Sequence, residues 1–190
     1  MAYRAIVALM LVLALAVPIA VSAVDGPARP PADAEVAIVV DVIDGDTIRV
    51  ERVGGDVERI RYIGMDTPEV EREGQPAEPF AAEAFRANAE LVGGEFVTLE
   101  RDTSDRDQYD RLLRYVWVQQ PDGWHMVNAE LVSEGLAEVR AYEPDTRHHT
   151  WFQQLQREAR EDGRGMYRSE DGSDEDRNLI DDLLDFFLGD

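Results

Sequence analysis

The chain has no cysteine and no lysine: all 19 basic residues are arginine. Without cysteine no disulfide can staple the fold, and no lipid can be attached at an N-terminal thiol, so packing and bound metal are the means left to hold it together. Without lysine every positive charge is a planar guanidinium, the group suited to bidentate recognition of carboxylate and phosphate. Histidine is also scarce, at 3 residues. The pair His148-His149 makes a poor metal site, because adjacent helical residues do not face each other.

What abounds is acid. Asp and Glu number 40 and the formal net charge is −21 over 190 residues. Such self-repulsion opposes a compact state in dilute buffer but favours solubility and hydration in brine. The composition therefore predicts a salt-adapted protein. Hydrophobic residues still make up 44%, which excludes a disordered chain and supports one ordinary domain.

The only long apolar run is at the start. Arg4 precedes an apolar stretch over 5–21, and Val21-Ser22-Ala23 ends in small residues. This is the pattern of a secretory signal peptide, with an uncleaved membrane anchor facing outside as the alternative. Residues 1–23 are thus read as a signal peptide, 24–34 as a Pro-rich linker, 35–168 as one folded domain, and 169–190 as an acidic linker plus a C-terminal amphipathic helix. The expected location is extracellular and the expected state monomeric. In the terminal stretch, Ile180, Leu183, Leu184, Phe187 and Leu188 line one helical face. That face could dock on its own domain or on a partner; its acidic polar side argues against membrane insertion.

Within the domain, "EVAIVVDVI" (35–43), "TIRVERV" (47–53) and "VERIRYIGM" (57–65) read as a three-stranded meander. The polar segment 66–79 reads as a loop. "FAAEAFRANAELV" (80–92) reads as a helix with Phe80, Ala84, Ala87 and Leu91 on one face, stopped by Gly93-Gly94. Strands follow at 95–102 and 111–119, then a short "WHMV" strand. A helix follows at 128–135 with Asn128 as its N-cap, and a last helix at 146–162. Five short strands with inserted helices predict an α+β architecture: a small, partly open OB-fold barrel carrying about three helices.

Two acidic residues close strand-like runs. Asp46 follows the first strand and Asp66 the third, so a meander brings them toward one edge. Converging carboxylates with no lysine nearby suit a hard divalent cation, Ca²⁺ or Mg²⁺. Asp-Gly is also ordinary turn chemistry, so the pair alone does not decide.

The wider constellation is more specific. Ile43-Asp44-Gly45-Asp46-Thr47, Arg61, Asp66-Thr67-Pro68-Glu69, Asp107-Gln108-Tyr109-Asp110-Arg111 and "MVNAELVSEGLAEV" (126–139), in this order, resemble the staphylococcal nuclease (thermonuclease) family over roughly 36–167. The resemblance implies an OB barrel and Ca²⁺-dependent hydrolysis of phosphodiester bonds in DNA, with RNA as a second candidate substrate. It implies one Ca²⁺, with Mg²⁺ the second choice, held by Asp46, Asp66 and the carbonyl of Thr67. It casts Glu69 as the base that activates water, and Arg61 and Arg111 as the grip on the scissile phosphate. Asp44 becomes an outer neighbour of the metal, and Tyr109 a residue near the substrate's terminal phosphate.

Three positions depart from the family pattern. Asp110 replaces a glycine before Arg111, placing a carboxylate where it can compete for that guanidinium. Ala141 stands at a nucleotide-stacking tyrosine, with Tyr142 one place off. Gln108 stands where a lysine helps hold phosphate. The alternative reading is a non-catalytic OB module that binds nucleic acid or protein; a third is a cation-stabilised structural protein.

Overall fold

A computed structural model describes residues 26–71 and 74–168. The expected signal segment over 1–23 and the amphipathic stretch over 178–190 lie outside the described residues. Residues 26–34, expected to be a linker, begin against the domain: a side chain added at Gly26 would run into the Trp151 indole.

Five strands form a closed barrel. β1 (Glu35–Val42), β2 (Thr47–Arg52) and β3 (Val57–Tyr62) make the antiparallel meander. After β4 (Met65–Asp66) and α1 (Ala81–Val92), β5 (Phe96–Glu100) returns beside β1, and β6 (Leu112–Gln120) pairs with β5. The barrel closes where β6 runs parallel to β3, with Ile60 opposite Leu112 and Tyr62 opposite Arg114. β7 (Gly123–Met126) extends the sheet from β6, and α2 (Val127–Ser133), β8 (Glu138–Val139) and α3 (His149–Glu161) complete the fold. This is the OB barrel with three helices that the strand pattern predicts, closed by the β3–β6 pairing rather than partly open.

Period-two alternation explains the barrel wall. Ile48 and Val50 point inward from β2 while Arg49 and Glu51 face out. Ile60 and Tyr62 do the same from β3, and Val97 and Leu99 from β5. Each such fully buried aliphatic side chain contributes about 1.5–3 kcal/mol, so packing alone supplies a cohesive interior. A second cluster of Ile63, Tyr115, Trp117, Met126 and Phe152 fixes α3 against the outside of the sheet. Trp117 is core, whereas Trp124 and Trp151 are half-buried at its rim.

Three expectations are corrected. The third strand ends at Tyr62 rather than running to Met65, because Gly64 takes a φ of 81° and turns the chain. Met65 and Asp66 then pair with β8, opposite Val139 and Glu138. The buried face of α1 is Ala81, Ala84, Asn88 and Val92. Ala87 and Leu91 only flank it, and Phe80 is the N-cap with φ 68°. Asn128 does not cap α2. Met126 holds that position because β7 passes directly into the helix. Asn128 lies fully buried in the first turn, accepting from the Val116 N–H (2.8 Å) and donating to the Ile63 carbonyl (3.0 Å).

Candidate active site

The β1–β2 turn over 43–46 is the centre of the site. The Asp46 N–H donates to Asp44 Oδ1 at 3.1 Å, an Asx-type turn that shapes the loop. Helix α1 pins it from behind: Asn88 Nδ2 donates to the Asp44 carbonyl at 2.9 Å, and Asn88 Oδ1 accepts from the Tyr62 hydroxyl at 2.8 Å. Burial pushes the Tyr62 phenol far above its ordinary value, so it stays a hydroxyl donor. Gly45 permits the close approach. A Cβ there would sit 2.6 Å from Thr67 Oγ1 and 2.9 Å from the Ala84 Cβ.

Asp46 is 5% exposed and heavily bonded. Oδ2 accepts from the Thr67 N–H at 3.0 Å and the Thr67 hydroxyl at 3.1 Å. Oδ1 accepts from the Thr47 hydroxyl at 3.1 Å and pairs with Arg61 Nη1. The other Arg61 terminal nitrogen, Nη2, pairs with Asp66 Oδ1. Thus Asp46 and Asp66 converge on one guanidinium, although they come from the β1–β2 turn and from β4. Cross-strand register contributes directly, since Arg61 lies opposite Thr47 on β2. Among the described residues no set of three or more carboxylates, imidazoles or thiols gathers into one metal cluster.

Glu69 lies two residues beyond Thr67, exposed at the neck of the 66–79 loop. The neck is closed by a reciprocal pair: the Glu69 N–H donates to Glu78 Oε2 (2.9 Å), and the Glu78 N–H donates to the Glu69 carbonyl (2.9 Å).

Beside the carboxylates opens a cleft of about 450 Å³ whose lining includes Arg61, Arg111, Tyr109, Gln108, Tyr142 and Asp107. Asp107 Oδ2 holds Arg111 Nε at 2.7 Å, and Asp107 Oδ1 accepts from the Tyr109 and Arg111 N–H groups. Burial of Asp107 resists ionisation, but these donors outweigh it and keep its carboxyl below the usual range. The Arg111 guanidinium lies 5.5 Å from the centre of the Tyr109 ring. Asp145, 4% exposed, accepts from the N–H groups of Thr103 (3.0 Å) and Ser104 (2.7 Å) and so ties the 103–111 loop to the segment carrying Tyr142.

Asp110 does not take Arg111 away. It adopts φ 62°, the left-handed turn a glycine would serve, and its exposed carboxylate pairs with Arg106 at 3.4 Å. Tyr142, despite its shifted position in sequence, is 51% exposed and lines the same cleft as Tyr109. A bridge between Tyr142 and Asp145 sets that segment's path. His148 serves structure, with Nε2 3.0 Å from the buried Glu100.

Sequence reasoning missed Asn88, and it took Asp107 only as the first residue of the Asp107–Arg111 run, with no role of its own. Asn88 had a signal, a polar residue spaced four from Ala84 and Val92 on the buried helix face. Asp107 sits four before Arg111, a spacing that carries meaning only once the turn is known.

A closed OB barrel with added helices, carrying paired carboxylates beside an arginine- and tyrosine-lined cleft, is the class of protein these observations define. More specifically, the chain belongs to the staphylococcal nuclease family. The family model "Staphylococcal nuclease homologue" matches residues 59–169. The thermonuclease of Staphylococcus intermedius is 34% identical over 118 residues, covering 62% of this chain and 67% of that protein. The thermonuclease of Staphylococcus hyicus is 32% identical over 121 residues, covering 64% and 69%.

Proposed function

We propose that this chain is a secreted, salt-adapted, Ca²⁺-dependent nuclease that hydrolyses phosphodiester bonds of DNA, with RNA as a second substrate. The observation that carries the reading is the single cleft in which Arg61, Arg111, Tyr109 and Tyr142 face one space beside the Asp46–Asp66 pair. The family and its thermonuclease relatives support it.

The donors at the pair fit a hard divalent cation. Asp46 and Asp66 each present an oxygen to the Arg61 guanidinium, and Thr67, next after Asp66 in the chain, has a backbone carbonyl to add, so the donor set would be all oxygen. Asp46, Asp66 and Thr67 would hold Ca²⁺, with water completing the shell and Asp44 orienting the Asp46 turn. When bound, such an ion supplies neutralisation of phosphoryl charge and acidification of water.

The protein's own groups do the rest. Arg111, steadied by Asp107, offers guanidinium donors to a phosphodiester entering the cleft, and Arg61, which here pairs with Asp46 and Asp66, would turn its guanidinium to the phosphodiester once a cation took those oxygens. Donors aimed at developing transition-state charge are each worth about 2.7–4 kcal/mol. Tyr109 and Tyr142 give bases aromatic surface at about 1–3 kcal/mol each. Glu69, on the loop anchored by Thr67 and Glu78, takes the proton from the attacking water.

The net charge of −21 opposes a polyanion at low ionic strength. At 1 M salt the Debye length falls to about 3 Å, which removes long-range repulsion and leaves direct contacts. Hydrolysis of denatured DNA, measured from dilute to molar salt with Ca²⁺ or with EGTA, tests the proposal. Ca²⁺-dependent cutting that rises to a high-salt optimum is expected. No cutting under any condition would favour the non-catalytic module; cutting that falls steadily above dilute buffer would refute salt adaptation.

A further inference from the structure

The outer side of α1 carries an apolar groove that the nuclease chemistry does not use. It has a volume of about 730 Å³ and is lined by Ile43, Val70, Ala77, Ala82, Phe85 and Ala89, with Arg86 and Glu90 beside them. Phe85 is 38% exposed there. Apolar side chains gathered in one groove and rimmed by charged ones offer a seat to another apolar segment.

The path of the chain identifies the occupant. Met166, two residues before the last described residue, shares a pocket with Thr67, Pro68, Glu78 and Pro79. Pro79 lies two residues before α1, so the chain leaves the described fold near the groove's N-terminal end. Residues 169–177, nine polar and mostly acidic positions, can span up to roughly 30 Å when extended. Beyond them Ile180, Leu183, Leu184, Phe187 and Leu188 repeat at i, i+3, i+4, i+7, i+8, the stripe of a helix that packs on one side. Thirteen residues make a helix of about 20 Å, and the 12 residues of α1 make one of about 18 Å. The apolar N-terminal run is a poorer candidate, because the chain enters at Gly26 against Trp151, in a pocket with Trp124 and Ala129.

We propose that residues 178–190 dock their apolar stripe into the groove on α1, packing as an amphipathic helix against Phe85, Ala82 and Ala89. Arg86 meets the acidic side of the segment, while Glu83 and Glu90 repel Asp181, Asp182 and Asp185. Salt screens that repulsion, so docking strengthens as ionic strength rises. Because Val70 and Ala77 line the groove from either arm of the 66–79 loop, the docked helix braces the loop that carries Glu69.

The absence of cysteine makes every introduced thiol unique. The full chain carrying Ala82→Cys is paired in turn with Leu184→Cys and Leu188→Cys. The control is Val53→Cys with the same partners. Val53 is 90% exposed in the β2–β3 turn and lies the length of β1 from the groove, about 20 Å at ~3.3 Å per residue. In a glutathione buffer at molar salt, at least one groove pair is expected to close within a single molecule, with an effective concentration about tenfold or more above the control. That advantage is expected to shrink at low salt and to vanish with Phe85→Glu. Equal closure of groove and control pairs, no closure of either groove pair, or disulfides only between two molecules would overturn the proposal. Nuclease activity is read separately, so this outcome does not decide the proposed chemistry.

Discussion

Asn88 is the residue through which α1 holds the 43–46 turn of the candidate active site, and its removal has a calculable consequence. Asn88 is fully buried, donates to the Asp44 carbonyl at 2.9 Å and accepts from the Tyr62 hydroxyl at 2.8 Å. Asn88→Ala leaves both partners buried without it. Each lost buried contact costs about 1–3 kcal/mol, so a loss of about 2–6 kcal/mol is expected. Tyr62→Phe alone strands only the Asn88 oxygen, for about 1–3 kcal/mol. The double variant loses only the contact to the Asp44 carbonyl, so its loss should fall short of the sum of the singles by more than about 0.5 kcal/mol, the scatter of independent sites. Urea unfolding in molar salt, followed by tryptophan emission, to which buried Trp117 contributes, measures all three. A loss below about 0.5 kcal/mol for Asn88→Ala, or strict additivity in the double variant, would refute the claim that α1 supports this turn.

Other perturbations test other parts of the account. Gly45→Ala puts a methyl 2.6 Å from Thr67 Oγ1 and 2.8 Å from its Cβ. It should destabilise by about 1–3 kcal/mol, seen in thermal melts, and should lower nuclease activity further by shifting the Thr67–Asp46 contacts; an unchanged melt would count against it. Asp110→Gly relieves a left-handed backbone but loses a surface ion pair with Arg106. Its stability should therefore change by less than about 1 kcal/mol, with activity retained, as chemical denaturation and DNA hydrolysis would show. Burial opposes ionisation of Glu100, but His148, Trp117 and Arg147 outweigh it and hold its carboxyl below the ordinary value. That stabilisation is present above the unfolded value near pH 4.3 and is lost as pH falls through the lower folded value. Glu100→Gln should flatten that acid limb of a stability–pH curve, and an unchanged limb would contradict the assignment.

The barrel was legible because its signals are local. The alternation over Ile48 and Val50, the turns at 44–46 and 54–56, and the glycine stop after α1 all follow from side-chain period and backbone freedom. The convergence of Asp46 and Asp66 was legible as a consequence of a meander, although Asp66 reaches the site from a separate small sheet. What failed depended on contacts distant in sequence. Asn128 has the chemistry of a cap, but β7 enters α2 without a loop, so its amide is used to join β6 to the chain after β3. Tyr142 misaligned in sequence, yet the segment pinned by Asp145 brings it to the cleft wall. The partner of Arg111 was sought in adjacent Asp110, while turn geometry selects Asp107.

The central claim is that Glu69 removes a proton from water at a phosphodiester held by the cleft. Its most direct measurement is single-turnover hydrolysis of denatured DNA by the wild type and by Glu69→Gln, with Ca²⁺ in molar salt and with DNA binding followed in parallel. The account predicts a rate loss of about 10²–10⁴-fold with binding retained. Hydrolysis by Glu69→Gln at the wild-type rate would contradict it.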